Sequence, residues 1–181
     1  MSLIFRDQIA FTDREHIKTL VIETQFFSLE EINVAIELVD DKLTKNEKSD
    51  YHFLMVEDSE KPNTLEGFCC YGHIPGTLSS YRLYWIAVDK NSQNQKVGKK
   101  ILVQLEERII QLGGTRLYAE TSGRELYRPT HEFYLRTQFI LEARLKDFFA
   151  PGDDELIFSK VLGNTTDCHD PIPSLPDLLA K

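Results

Sequence analysis

The stretch 81–113 constrains this chain more than any other, because it joins two different periodicities through a polar loop. Tyr81-Arg82-Leu83-Tyr84-Trp85-Ile86-Ala87-Val88-Asp89 is a short run rich in β-branched and aromatic residues, which predicts a buried strand. Val97, Ile101, Leu102, Leu105, Ile109 and Leu112 share one face at helical spacing, so 97–113 predicts an amphipathic helix. Gly113-Gly114 supplies its stop, since glycine accepts the left-handed geometry of a C-cap. Between the two lies Gln93-Asn94-Gln95-Lys96-Val97-Gly98. A loop entering a helix presents unpaired N–H groups and the positive end of the helix dipole, an arrangement suited to phosphate. Gly98 admits close backbone approach, and Lys96, Lys99 and Lys100 add positive charge beside it.

The flanking sequence continues the mixed pattern. Residues 3–10 predict a first strand, and Thr12-Asp13-Arg14-Glu15 has the form of a capping box ahead of the stripe Ile17, Leu20, Val21. Ser28-Leu29-Glu30-Glu31 repeats the capping signal before Ile32, Ala35, Ile36, Val39 and Leu43. Tyr51–Glu57 and Leu65–His73 predict antiparallel strands turning through 58–63. Arg116–Ser122 predicts a further strand, Pro129 the first turn of a short helix running to about Arg136, and 139–149 with 155–162 a closing hairpin. The order β-α-α-β-β-β-α-β-α-β-β describes one mixed α/β domain over 1–162, followed by a proline-bearing tail over 163–181.

Composition narrows the partners. A chain of 181 residues suffices for one domain with a full core. A net charge of −8 argues against a nucleic-acid backbone and mildly favours a cationic partner. The apolar runs are too short to span a bilayer, and the first residues lack the layout of a signal peptide. Cys69, Cys70 and Cys168 make neither a disulfide framework nor a metal set, and His16, His52, His73 and His131 lack ligand spacing. No metal site and a cytoplasmic location are therefore expected. Cys168-His169-Asp170 are contiguous, whereas nucleophilic triads meet through the fold.

Two motifs together carry a family resemblance. Gln93, two residues, Lys96, one residue and Gly98 resemble the acetyl-CoA-binding signature of the GNAT superfamily of N-acyltransferases, with Lys96 where an inner glycine is usual. Phe133-Tyr134-Leu135-Arg136-Thr137-Gln138-Phe139 resembles the second signature, with Gln138 in place of a glycine. The resemblance covers about residues 1–162 and implies the GNAT fold, a mostly antiparallel twisted central sheet flanked by helices. It also implies acetyl-CoA as co-substrate, a small-molecule or peptide amine as acceptor, direct attack in a ternary complex, and a possible homodimer. It assigns the coenzyme to Ile86, Ala87 and Val88 along the strand and to Gln93, Gln95, Lys96, Val97, Gly98, Lys99 and Lys100 around the loop. A non-catalytic acyl-CoA-binding module is the competing reading, suggested by Lys96, Tyr127 and Gln138.

Tyr134 matches the family tyrosine that approaches the coenzyme sulfur, and is the candidate general acid; the alternative is a tyrosine packed on the sheet. Glu120 is the candidate base; the alternative is a carboxylate paired with arginine or lysine. Arg82 stands where some family members carry a glutamate, and Tyr127 where many carry an asparagine. A left-handed backbone is expected at Gln138, because it replaces a glycine that follows a helix.

Overall fold

A computed structural model describes residues 2–93 and 95–163. The elements are β1 (Leu3–Arg6), α1 (Asp13–Thr24), α2 (Leu29–Lys45), β2 (His52–Asp58), β3 (Lys61–His73), β4 (Ser80–Val88), α3 (Val97–Gln111), β5 (Arg116–Ser122), α4 (Arg128–Arg136), β6 (Ile140–Ala150) and β7 (Asp153–Val161), with 3-10 turns at Asn46–Lys48 and Glu125–Tyr127. Their order is the one the sequence predicts. The strands form one seven-stranded sheet in the order β1-β2-β3-β4-β5-β7-β6, antiparallel throughout except where β4 meets β5.

Strand alternation sends side chains to two cores. On one face Cys69, Leu83, Leu117, Ala119 and Phe158 pack beneath the apolar stripe of α3 and beside Tyr134 of α4. On the other, Phe53, Met55, Phe68 and Cys70 pack under Ile17, Leu20 and Val21 of α1 and Ile32, Ile36 and Val39 of α2. Cys69 and Cys70 thus lie in different cores, as adjacency in a strand requires. No three His, Cys, Asp or Glu side chains group as a metal site among the described residues. No described helix is long and apolar enough to cross a membrane.

Local signals succeed where nothing competes with them. Ser28 accepts from Glu31 N–H while the Glu31 carboxylate accepts from Ser28 N–H, a complete capping box. Thr12 makes no such cap: its backbone is already helical, with φ −65° and ψ −27°, and the Glu15 carboxylate pairs with Arg14. Asp13 is bound by the residues that precede the helix. Its buried carboxylate accepts from Arg6 at 2.6 Å and from Ala10 N–H at 2.6 Å. That bend ends β1 at Arg6, earlier than predicted. The β2–β3 turn tightens to Ser59-Glu60, since Asp58 pairs with Lys61. Leu112 falls just beyond α3 and is exposed, while Gly113 takes φ 81° as expected of a left-handed cap. Gln138 has φ 72°, the left-handed geometry expected of it. Residue 94 and the tail from 164 onward, including Cys168-His169-Asp170, lie outside the described residues.

Candidate active site

The sheet opens beside β4. Tyr71 pairs with Leu83 and Cys70 with Trp85, which leaves Tyr84 as an extra residue. Such a bulge bends its strand. The parallel ladder between β4 and β5 ends at Leu83–Ala119. Beyond it, β4 continues only against β3, and Glu120 to Ser122 continue only against β7. The split exposes strand edges on both sides, with Ile86, Ala87 and Val88 along one of them. The 89–96 loop and the start of α3 follow directly from that edge.

The loop is held by its own side chains. Asp89 Oδ1 accepts from Asn91 N–H at 2.8 Å, and Gln95 Nε2 donates to the Asn91 carbonyl at 2.9 Å. Gln93 Nε2 reaches the Val88 carbonyl at 3.5 Å. Lys96 precedes α3 with φ 64° and ψ 16°, left-handed geometry that explains why a glycine is usual there. Lys96→Gly is therefore expected to stabilise the fold by about 1 kcal/mol. Urea unfolding checks this, and an unchanged midpoint would contradict it.

The start of α3 differs from those of α1 and α2. α1 carries Asp13 and Glu15 in its first turn, and α2 carries Glu30 and Glu31 behind its Ser28 cap. α3 has no acidic residue there and no side-chain cap; α4 shares both traits but opens on Pro129, which has no N–H to offer, whereas α3 opens with its N–H groups intact. The N–H groups of Val97, Gly98 and Lys99 have no intrahelical acceptor, and the exposed Lys96, Lys99 and Lys100 surround them. This terminus lacks the negative charge that a helix dipole favours. A Cβ at Gly98 would lie 3.4 Å from the Phe133 ring, ordinary contact, so packing inside the chain does not demand glycine at this position.

Tyr134 and Glu120 lie on opposite faces of the sheet beside the split. Tyr134 is buried with its ring 5.1 Å from that of Phe139 and 5.3 Å from that of Phe158. Its hydroxyl makes no hydrogen bond among the described residues, and burial raises its pKa above the usual phenol value, helped by Cys69. Glu120 is ion-paired with Arg82 at 2.8 Å, the structural alternative foreseen for it. Tyr127 packs the loop after β5 against the α1–α2 connection, its ring 6.4 Å from that of Phe26. Its hydroxyl donates to Glu31 Oε1 at 3.2 Å, with the Phe26 carbonyl at 3.3 Å as the alternative acceptor. Burial, then the charge of Glu31, pushes its pKa up to about 12. Phe27 meets Trp85 with ring centroids 4.6 Å apart, so the α1–α2 connection touches both β4 and the loop after β5. An outer cleft of about 500 Å³, lined by Phe26, Glu125, Leu126, Arg128, Pro129 and Glu132, includes none of the residues assigned to the coenzyme.

Glu155 escaped the sequence reading. It pairs with Ser122 across β5–β7 and shares the Glu120 face. Only 7% of it is exposed, and its carboxylate has no hydrogen bond or ion pair among the described residues. Burial first, then the charge of Glu120, raises its pKa, while Arg82 opposes them. The only sequence signal available was an acidic residue at an inward strand position, which register alone makes meaningful. A carboxylate with a raised folded pKa binds its proton more tightly when native, so it costs stability as pH rises through the unfolded value near 4.3 towards the folded one. Glu155→Gln is accordingly expected to raise Tm at pH 7, with the gain vanishing below about pH 4. Melting curves across pH test this, and a gain independent of pH would refute it.

A sequence profile described as the acetyltransferase (GNAT) family matches residues 18–139. A GNAT-family protein from Desulfovibrio desulfuricans is 37% identical, with TM-score 0.86 over 90% of this chain and 100% of that one. The PaiA N-acetyltransferase from Thermoplasma acidophilum, solved with coenzyme A, shares the fold at 20% identity and TM-score 0.68, over 89% of this chain and 99% of that one. An aminoglycoside 6'-N-acetyltransferase complexed with coenzyme A does so at 14% identity and TM-score 0.70, over 92% of this chain and 100% of that one. No curated protein matches the sequence.

Proposed function

Because this chain belongs to the GNAT family of acetyltransferases, we propose that it transfers an acetyl group from acetyl-CoA to a primary amine, on a small molecule or an exposed amino group, in a ternary complex. The start of α3 carries the reading: it has no acidic first turn and no cap, is ringed by lysines, and holds a glycine that packing does not require. In this reading the diphosphate rests on the N–H groups of Val97, Gly98 and Lys99, with Gln93, Gln95, Lys96 and Lys100 around it. The pantetheine arm runs along Ile86, Ala87 and Val88 towards the narrow end of the split.

The co-substrate brings the activated acyl group, so no protein nucleophile is needed. Holding thioester and amine together supplies much of the rate. The amine enters from the face that carries Glu120, where a carboxylate receives its proton directly or through water. Attack on the thioester carbonyl forms the C–N bond, and collapse breaks the C–S bond. Tyr134, on the opposite face, gives its proton to the departing thiolate. Main-chain N–H groups on the open strand edges stabilise the oxyanion.

A melting-temperature rise with coenzyme A, followed by thiol release from acetyl-CoA with a panel of amines, tests the proposal. No rise would remove its basis. A rise without thiol release for any amine would favour the non-catalytic binding module.

A further inference from the structure

A buried carboxylate lies under the loop that opens into α3. Glu66 belongs to β3, where Gly67 pairs with Val56 but Leu65 pairs with Glu57, so Glu66 is the unopposed residue of a bulge. A bulge re-aims the side chain it carries. Here it sends a glutamate into the interior at 1% exposure, between Leu65 and Phe68, which are themselves buried. The Glu66 carbonyl accepts from Asp89 N–H at 2.9 Å. Its Oε2 accepts the Ser92 hydroxyl proton. One residue therefore grips both ends of the turn 89–92, and four residues later the chain makes its left-handed step at Lys96.

The adjoining glycine fixes the height of the helix. A Cβ at Gly67 would lie 2.9 Å from the Ala87 carbonyl oxygen and 3.0 Å from Ile101 Cδ1. At this level β3 abuts both β4 and α3. Glu66 and Gly67 thus set the loop and the start of α3 against the β4 edge from a single point.

Stability alone does not explain the arrangement. Glu66 Oε1 has no hydrogen-bond partner among the described residues, and its counter-charge is Lys61 Nζ at 3.6 Å. An apolar side chain would avoid the desolvation cost of this buried charge. What the carboxylate adds is a directional bond that fixes the shape of the turn.

Resting on the coenzyme-binding reading above, we propose that Glu66 is a positioning residue: through Ser92 it holds the diphosphate loop in its binding geometry without touching the ligand. The negative charge itself is not what serves, since it opposes an anion nearby. An uncharged acceptor of the same shape should suffice.

Isothermal titration with coenzyme A, well below every variant's melting temperature, tests this. Ser92→Ala is expected to raise Kd about tenfold, and Glu66→Ala at least as much. Glu66→Gln keeps an oxygen for Ser92 and is expected to stay within about threefold of the unaltered protein. A purely structural role would lower Tm and leave Kd alone. If Glu66→Ala does not fold, Ser92→Ala decides: wild-type affinity in that variant overturns the proposal. So does a tenfold loss in Glu66→Gln, which would assign the role to the charge. Failure of the unaltered protein to bind coenzyme A would instead sink the coenzyme reading, and this one with it.

Discussion

Replacing Tyr134 by phenylalanine is expected to lower kcat for acetyl transfer about 100-fold, at the lower end of the range for a positioned general acid. The affinity for coenzyme A should stay within about twofold, because only the hydroxyl is removed. The substitution isolates chemistry from folding. The ring keeps its contacts with Phe133, Phe139 and Phe158, and the hydroxyl has no hydrogen-bond partner among the described residues to leave stranded. Burial, reinforced by Cys69, raises the phenol's pKa, so the proton is present throughout the neutral range. The phenol therefore sets no alkaline limb at or below the ordinary tyrosine value near 10. Steady-state rates at saturating acetyl-CoA check the first point, and a pH–rate profile the second. Unchanged turnover would leave Tyr134 as a core aromatic and nothing more.

Gly98→Glu is expected to move stability and binding in opposite directions. Glutamate favours helix more than glycine does, by about 0.5–1 kcal/mol, and a negative charge in the first turn gains about 0.3–1 kcal/mol from the dipole. The position has room for the new Cβ beside Phe133. The apo protein should therefore melt at a higher temperature. The same carboxylate occupies the place assigned to the diphosphate. Repulsion between unit charges about 4 Å apart near a protein surface is roughly 4 kcal/mol, so Kd for coenzyme A should rise by at least about 100-fold. Calorimetry and titration on one sample supply both readings. A stabilised variant with undiminished affinity would move the coenzyme site away from α3.

The sequence made β4, the loop and α3 legible because their signals are local: a short β-branched run, helical spacing of Val97 to Ile109, and a glycine stop. The left-handed residue at 138 was legible only through the resemblance, whose second signature has a glycine where this chain has Gln138. Features set by register were not legible. Glu66 is buried because a bulge interrupts alternation, and no periodicity announces a bulge. Glu120 was visible as a strand carboxylate, but its pairing with Arg82 depends on the parallel β4–β5 register, 38 positions apart in the chain. The capping signal at Thr12 failed because the bend before α1 leaves Thr12 with helical backbone angles, which no N-cap has, and Glu15 pairs with Arg14 instead.

The parallel seam from Ser80–Arg116 to Leu83–Ala119 spans four residue pairs and is the ladder that ties strands one to four to strands five to seven. The two leaves also share one packed core, in which Cys69 and Leu83 meet Leu117, Ala119 and Phe158 beneath α3, so the mouth between the free edges is braced from below without a ladder across it. Under the proposed function, the strand groups left open there are the ones a seated coenzyme would pair with, as an added strand pairs with a sheet edge.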